Sequence, residues 1–154
     1  MSNAILVEKK WLKDFDKYFS GLFKDVSSAI IQLDQLVFTP SGKDISSIAE
    51  SVIRERIRPA LTKIKMMLKV LDGMKILNGG NLDKKLAYKV LIVDLQNILD
   101  DVLAYLVTAE NQLEKLNSGS NLAVVELVLT KRLRPALYKL DILDMKFEKI
   151  RQFK

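Results

Sequence analysis

Apolar residues recur at steps of three and four along four long stretches of this 154-residue chain. These stretches are residues 5–38, 45–77, 82–116 and 122–152. Such steps put side chains on one face of an α-helix, whereas a half-buried strand would alternate. The pattern therefore predicts four helices, each on the order of 50 Å long at about 1.5 Å per residue.

Short segments rich in Gly, Pro, Ser and Asn separate the four predicted helices. They read TPSGKD at residues 39–44, NGG at 78–80 and NSGSN at 117–121, and such compositions are typical of turns. Asp44 stands where the N-cap of the second helix is expected. Because short loops join helices that are neighbours in space, the sequence predicts an all-α, antiparallel four-helix bundle built from two long helical hairpins.

The two halves of the chain resemble each other at an offset of 76 residues. RIRPAL at residues 56–61 coincides with RLRPAL at residues 132–137 at this offset. Self-similarity at a fixed period indicates a repeated structural unit. We therefore predict a single all-helical domain over residues 1–154, formed by duplicated hairpins at about 1–77 and 78–154.

Pro59 and Pro135 lie well inside the second and fourth predicted helices. A proline removes a backbone donor and clashes with the carbonyl four residues earlier, so it bends an α-helix. The sequence therefore predicts Pro-kinked second and fourth helices.

Arginine is rare in this chain and is concentrated beside the two prolines. Only 6 of the 25 basic residues are Arg, and five of these six lie at residues 54–58 or 132–134. Arg is suited to forked contacts with phosphate or carboxylate, whereas Lys supplies a point charge. We therefore predict nucleic-acid or anion binding by the outward basic side chains of these helices, which are Arg54, Arg58, Lys65, Lys131 and Arg134.

Two further arginines, Arg56 and Arg132, lie toward the apolar stripes of their helices. If each hairpin turns at the middle of its loop, Arg56 comes level with Asp25, and Arg132 lies about one turn from Asp101. The sequence thus predicts the structural ion pairs Arg56–Asp25 and Arg132–Asp101. Breaking such a pair is costly when it is buried, because one charge is left without a partner.

The net charge is +6, the pI is about 9.4, and the charge is distributed unevenly. The first predicted helix is neutral, the second carries +3, the third −2 and the fourth +4. A basic surface favours nucleic acid, an anionic membrane or an acidic protein as the partner. The two Pro-containing helices could track one phosphate backbone only if they share a surface, and a diagonal placement would argue against a single groove.

The aromatic-rich segment WLKDFDKYFSGLF at residues 11–23 has two interpretations. Its aromatic residues recur at helical steps, which predicts core packing. Because lysines are interleaved with them, the alternative is a face on which bases stack or which lies on a membrane. The second half of the chain has leucines at three of these positions, Leu91, Leu95 and Leu99, which favours the core.

The chain contains no Cys and no His. This removes thiol nucleophiles, Cys/His zinc sites and the usual neutral-pH general base. A Gly-rich phosphate loop is also missing, so we predict no enzyme activity, no cofactor and no bound metal, and we expect no small-molecule ligand. No apolar run reaches about 18 residues, so no membrane span is predicted, and a cytoplasmic location is expected.

These observations favour a non-catalytic basic helical subunit that binds a nucleic-acid backbone or acts within a nucleoprotein or replication-type complex. The alternative is a structural or adaptor bundle that acts through protein–protein contacts or self-assembly. A protein partner or a larger complex is expected under both hypotheses. The sequence does not distinguish DNA from RNA.

Overall fold

The computed structural model describes residues 9–38, 44–75, 81–116 and 122–152. Each of these four ranges is almost entirely helical, and none of them contains a β-strand. The prediction of an all-α chain with four long helices is therefore confirmed.

The first and third helices are continuous α-helices, whereas the second and fourth each contain a π-helical turn. Helix α1 spans Lys9–Phe38, and helix α3 spans Leu82–Glu114. Helix α2 comprises Ile45–Val52, the π-helical turn Ile53–Ile57 and Arg58–Met74. Helix α4 comprises Ala123–Val128, the π-helical turn Leu129–Leu133 and Arg134–Arg151.

The helices pack as a bundle in which each helix contacts two others. Helix α1 contacts α2 and α4, and α3 contacts the same two helices. Within the described ranges no contact joins α1 to α3 or α2 to α4, so these pairs lie on the diagonals. Helices α1 and α2 run antiparallel, because Asp25 and Gln32 of α1 meet Lys63 and Arg56 of α2 in reverse order. We call α1 and α2 the first hairpin, and α3 and α4 the second hairpin.

The apolar stripes of all four helices meet in one hydrophobic core. Leu33, Ile64, Leu99 and Leu140, one from each helix, are fully buried. Phe15 stacks on Phe147 with ring centroids 4.0 Å apart, which joins α1 to α4. Trp11 packs against Gly73, where a Cβ atom would lie 2.8 Å from the indole ring. The aromatic-rich segment therefore contributes to packing, and Phe15 offers no face on which a base could stack.

Each proline directly follows a π-helical turn. The backbone N–H of Arg58 donates to the carbonyl of Ile53, five residues earlier, and the same bond occurs 76 residues later in α4. A π-helical turn holds one residue more than an α-helical turn, and it shifts the carbonyls that precede Pro59 and Pro135. The helix thus continues past a residue that cannot donate a backbone hydrogen bond. The predicted bend at the prolines stays a prediction.

Polar side chains cap the first turns of α2 and α3. Asp44 accepts a hydrogen bond from the backbone N–H of Ser46 at 3.0 Å, as predicted for an N-cap. Hydrogen bonds from the side chains of Ser46 and Ser47 lower the pKa of Asp44. Asn81 accepts from the backbone N–H of Lys84 at 2.9 Å. The turns predicted at residues 39–43, 78–80 and 117–121 lie outside the described residues.

Candidate nucleic-acid interface

Arg58 and Arg134, two predicted anion-binding residues, form ion pairs between the hairpins. Arg58 of α2 donates to Glu110 at 3.2 Å and to Glu114 at 3.1 Å, both on α3. Arg134 of α4 donates to both carboxylate oxygens of Asp34 on α1, at 2.7 and 2.9 Å. The hydrogen bonds to Glu110 and Glu114 raise the pKa of Arg58. These contacts neutralise both arginines and join the hairpins, so neither side chain is free for phosphate.

The predicted Arg56–Asp25 ion pair is wrong. Asp25 accepts instead from Lys63 at 2.6 Å, and Arg56 donates to Gln32 at 3.2 Å. The prediction placed the hairpin turn at the middle of the loop, which put residue 27 opposite Arg56. In the observed register Gln32 lies opposite Arg56, five residues from the predicted position, and this displacement is more than one helical turn.

The predicted Arg132–Asp101 ion pair is wrong for the same reason. Asp101 accepts from Lys139 at 3.2 Å, and Arg132 donates to Gln112 at 3.4 Å. In both hairpins the aspartate forms its ion pair with a lysine that stands seven residues after the predicted arginine. Neither Arg56 nor Arg132 has a carboxylate within salt-bridge distance in the ranges that the structure covers.

The other three predicted binding residues differ in their surroundings. Arg54 is exposed and lies 3.9 Å from Glu50 and 3.7 Å from Glu55, so its charge is largely balanced. Lys65 and Lys131 are exposed and have no ion pair within the described part of the chain. They lie on α2 and α4, which are diagonal to each other. The diagonal placement argues against one basic groove formed by these two helices.

A basic surface whose lysines have no carboxylate partners among the described residues lies on the first hairpin, mainly on α1. The net charge of the corresponding predicted helix, counted from the sequence over residues 5–38, is zero. Its exposed lysines are Lys10, Lys13, Lys17 and Lys24 of α1 and Lys65 and Lys69 of α2. None of these six has a carboxylate partner among the described residues, and we call them the lysine face.

The lysine face exists because three of the four acidic side chains of α1 pair with residues of neighbouring helices. Asp16 pairs with Arg151, Asp25 with Lys63, and Asp34 with Arg134. The lysines of α1 recur at steps of three, four and seven, which keeps them on the opposite, exposed side of the helix. The spacing of these lysines is apparent in the sequence. A net charge per helix hides them, because it subtracts acidic residues that face other helices.

The four α1 lysines of the lysine face form a ridge along that helix. Lys10 and Lys24 are about 21 Å apart along α1. The Lys63–Asp25 contact sets the antiparallel register, which brings Lys65 and Lys69 of α2 alongside the same stretch. Two carboxylates lie near the lysine face. Asp14 of α1 is half-buried and has no ion pair in the described ranges, and Asp72 of α2, which pairs with Lys75, stands three residues after Lys69. The ridge offers ammonium groups as point charges, which suit a phosphate backbone without reading its sequence.

No protein-family model, curated protein or solved structure matches this chain. None of the helices described is both long and apolar enough to cross a membrane. Among the same residues, no three acidic side chains are grouped in a way that could hold a metal ion. The function must therefore be argued from the surfaces of the bundle itself.

Proposed function

We propose that this protein is a non-catalytic helical subunit whose lysine face binds the phosphate backbone of a nucleic acid within a nucleoprotein-type complex. The observation that carries the proposal is the lysine face, whose six exposed lysines have no carboxylate partners among the described residues. Each lysine that neutralises a phosphate releases a condensed counterion, which drives binding at low salt. The lysine face includes Lys65, which the sequence predicted as a binding residue, and none of the arginines that form ion pairs.

A nucleic acid fits the lysine face better than a lipid surface does. Helices that lie on membranes combine lysines with exposed apolar side chains that enter the lipid. On α1 the large apolar side chains with high exposure are Ile31 and Phe38, and both lie beyond Lys24 toward the other end of the helix. Attraction at the lysine face is thus electrostatic and independent of base sequence.

The test is a fluorescence-anisotropy titration with 20-nucleotide single strands and 20-base-pair duplexes of DNA and RNA at several salt concentrations. The triple variant Lys10→Gln, Lys17→Gln, Lys24→Gln should bind at least about tenfold more weakly at about 50 mM salt. Its plot of log affinity against log salt should also be shallower by about two units, since each lost phosphate contact removes about 0.7–0.9 of slope.

A charge-matched control separates the lysine face from the net charge of the protein. Lys89, Lys115 and Lys131 are exposed lysines on the second hairpin, and changing all three to Gln removes the same charge. We expect this control to bind nearly as well as the wild type. Equal loss in both triple variants, or no wild-type binding at about 50 mM salt, would contradict the proposal. Binding to anionic vesicles alone would replace nucleic acid with a lipid surface.

We also infer that the two hairpins derive from one duplicated unit and that α2 and α4 bend at their prolines. Three pairs of features at the 76-residue offset support this inference. They are the π-helical turns, the ion pairs Asp25–Lys63 and Asp101–Lys139, and the inter-hairpin pairs Arg58–Glu110 and Arg134–Asp34. A crystal structure should show each helix axis turning by more than about 20° there, and straight axes would refute the bend.

A structural or adaptor role is the second candidate, and the outer surface of the second hairpin favours it. Leu86, Val90 and Val93 of α3 and Met145 of α4 are between 47% and 71% exposed there. Exposed apolar side chains gathered on one surface are typical of a protein contact site.

A further inference from the structure

The outer surface of the second hairpin brings its exposed apolar side chains together. The ion pairs Lys146–Asp94 and Lys139–Asp101 set the register of α3 against α4. This register puts Met145 level with residue 95, and therefore close to Val93. Leu86 and Val90 continue the apolar stripe along α3 at steps of four and three. We call these four residues the apolar surface.

Charged side chains of opposite sign lie on either side of Val93 and Met145, the centre of the apolar surface. Lys89 of α3 and Lys149 of α4 lie toward one end, level with each other to within about two residues. Asp100 of α3 and Asp141 of α4 lie toward the other end, also nearly level. All four are exposed, and none has an ion pair within the described ranges. The surface thus has an apolar centre with lysines on one side and aspartates on the other, and Leu86 lies beyond the lysines.

We propose that the apolar surface binds a second copy of this chain about a twofold axis that crosses the helices at the level of Met145. In this arrangement α3 of one copy runs antiparallel to α3 of the other. Lys89 then lies opposite Asp100 of the second copy, and the twofold symmetry repeats the contact. Lys149 likewise lies opposite Asp141 of the second copy. An axis parallel to the helices would instead place like charges together, which is unfavourable.

The size of the surface fits a modest dimer. The stretch of α3 from residue 86 to residue 104 is about 27 Å long, and two packed helices are about 20 Å wide. The contact would cover on the order of 500 Å² of each copy, which is typical of weak or transient interfaces. Ala104, exposed on α3, lies opposite Leu86 across the axis and leaves room for its side chain.

The dimer would point the lysine faces of the two copies away from each other. The apolar surface and the lysine face belong to different hairpins, which lie on opposite sides of the bundle. A dimer would therefore present two phosphate-binding ridges and could bridge two nucleic-acid segments. The dimer itself does not rest on nucleic-acid binding, and its test uses no nucleic acid.

Sedimentation-velocity ultracentrifugation of the full chain between about 5 and 500 μM is the test, because interfaces of this size give weak affinities. The wild type should pass from monomer to dimer within this range, and higher salt should shift the transition to higher concentration. Met145→Lys should abolish the dimer, since the axis would bring two lysines together. Ile31→Lys, a change at a similarly exposed residue of the first hairpin, should leave the dimer intact.

A charge exchange tests the orientation. Lys89→Asp alone, or Asp100→Lys alone, should weaken the dimer about tenfold or more. The double variant Lys89→Asp with Asp100→Lys should return to within about threefold of the wild type. A monomer at all concentrations, a dimer that survives Met145→Lys, or a double variant weaker than either single variant would overturn the proposal. Circular dichroism melting of each variant confirms that the fold is kept.

Discussion

The two hairpins share a buried framework but differ on their outer surfaces. Lys10, Lys17 and Lys69 of the first hairpin stand 76 residues before Leu86, Val93 and Met145 of the second. At buried positions the apolar character is kept in both hairpins, because any polar group placed in the core would lose its hydrogen bonds to water. Exposed positions carry no such constraint, so one surface became basic and the other apolar. Similar buried frameworks thus carry outer surfaces of different chemistry.

The same contrast holds for the aspartate–lysine pair of each hairpin. The side chain of Asp25 is only 11% exposed, whereas that of Asp101 is 55% exposed. Gly21 contributes to the difference, because a Cβ atom there would lie 2.6 Å from Lys63 Cε. Asn97 occupies the corresponding position in α3. The missing side chain lets Lys63 lie against α1 and reach a nearly buried carboxylate.

The largest loss of stability, and the clearest difference between the two aspartate–lysine pairs, is expected from Lys63→Met. The change leaves Asp25 without its partner in a site that water barely reaches. We expect the free energy of unfolding to fall by about 2–3 kcal/mol, less than for a fully buried pair because the Lys63 side chain is 29% exposed. Urea denaturation at pH 7 measures the difference.

Lys139→Met is the matched control in the second hairpin. Asp101 stays hydrated when its partner is removed, so the loss should stay below about 1 kcal/mol. Equal losses in the two variants would show that the two aspartates do not differ in their access to water.

A smaller effect is expected from Tyr88→Phe. The Tyr88 hydroxyl donates to the carbonyl of Met74 at 2.9 Å, linking α3 to the end of α2, and position 12 of the first hairpin holds a leucine instead. Removing a buried hydroxyl that has a partner should cost about 1 kcal/mol at pH 7. Thermal melts of the two proteins give this difference.

The pH dependence of the same variant adds a second readout. Burial raises the pKa of Tyr88 from 10.0 to about 12. Between these values the unfolded chain loses the phenolic proton first. The stabilisation by the Tyr88 hydroxyl is therefore complete below pH 10 and is lost as pH rises toward 12. The wild type should therefore approach Tyr88→Phe in stability over this range. A constant difference between the two proteins from pH 9 to pH 12 would mean that the hydroxyl is hydrated.

The smallest effects are expected from Arg58→Gln and Arg134→Gln. Both arginines are at least half exposed and pair across the hairpin junctions, where water and salt screen the charges. Each change should lower Tm by less than about 3 °C, and the difference should shrink further at high salt. A larger loss in one variant would show that its junction holds the hairpins together more strongly than the other.

Local sequence patterns are enough to predict the helices. Steps of three and four in the apolar residues define helical faces through local geometry alone, and Asp44 caps α2 because its carboxylate reaches nearby backbone N–H groups. The arrangement of neighbouring residues suffices for such features. The number of helices and the cap of α2 were therefore predicted correctly from the order of residues.

The ion pairs, in contrast, depend on how the helices pack against one another. The wrong Arg56–Asp25 and Arg132–Asp101 pairs came from assumed loop geometry, and a shift of a few residues moves a helical side chain to a different partner. Net charge per helix was equally misleading, because it does not record that the acids of α1 face other helices while the lysines face outward. A side chain's partner depends on the helix that lies beside it, and that neighbour is set by packing of the whole bundle.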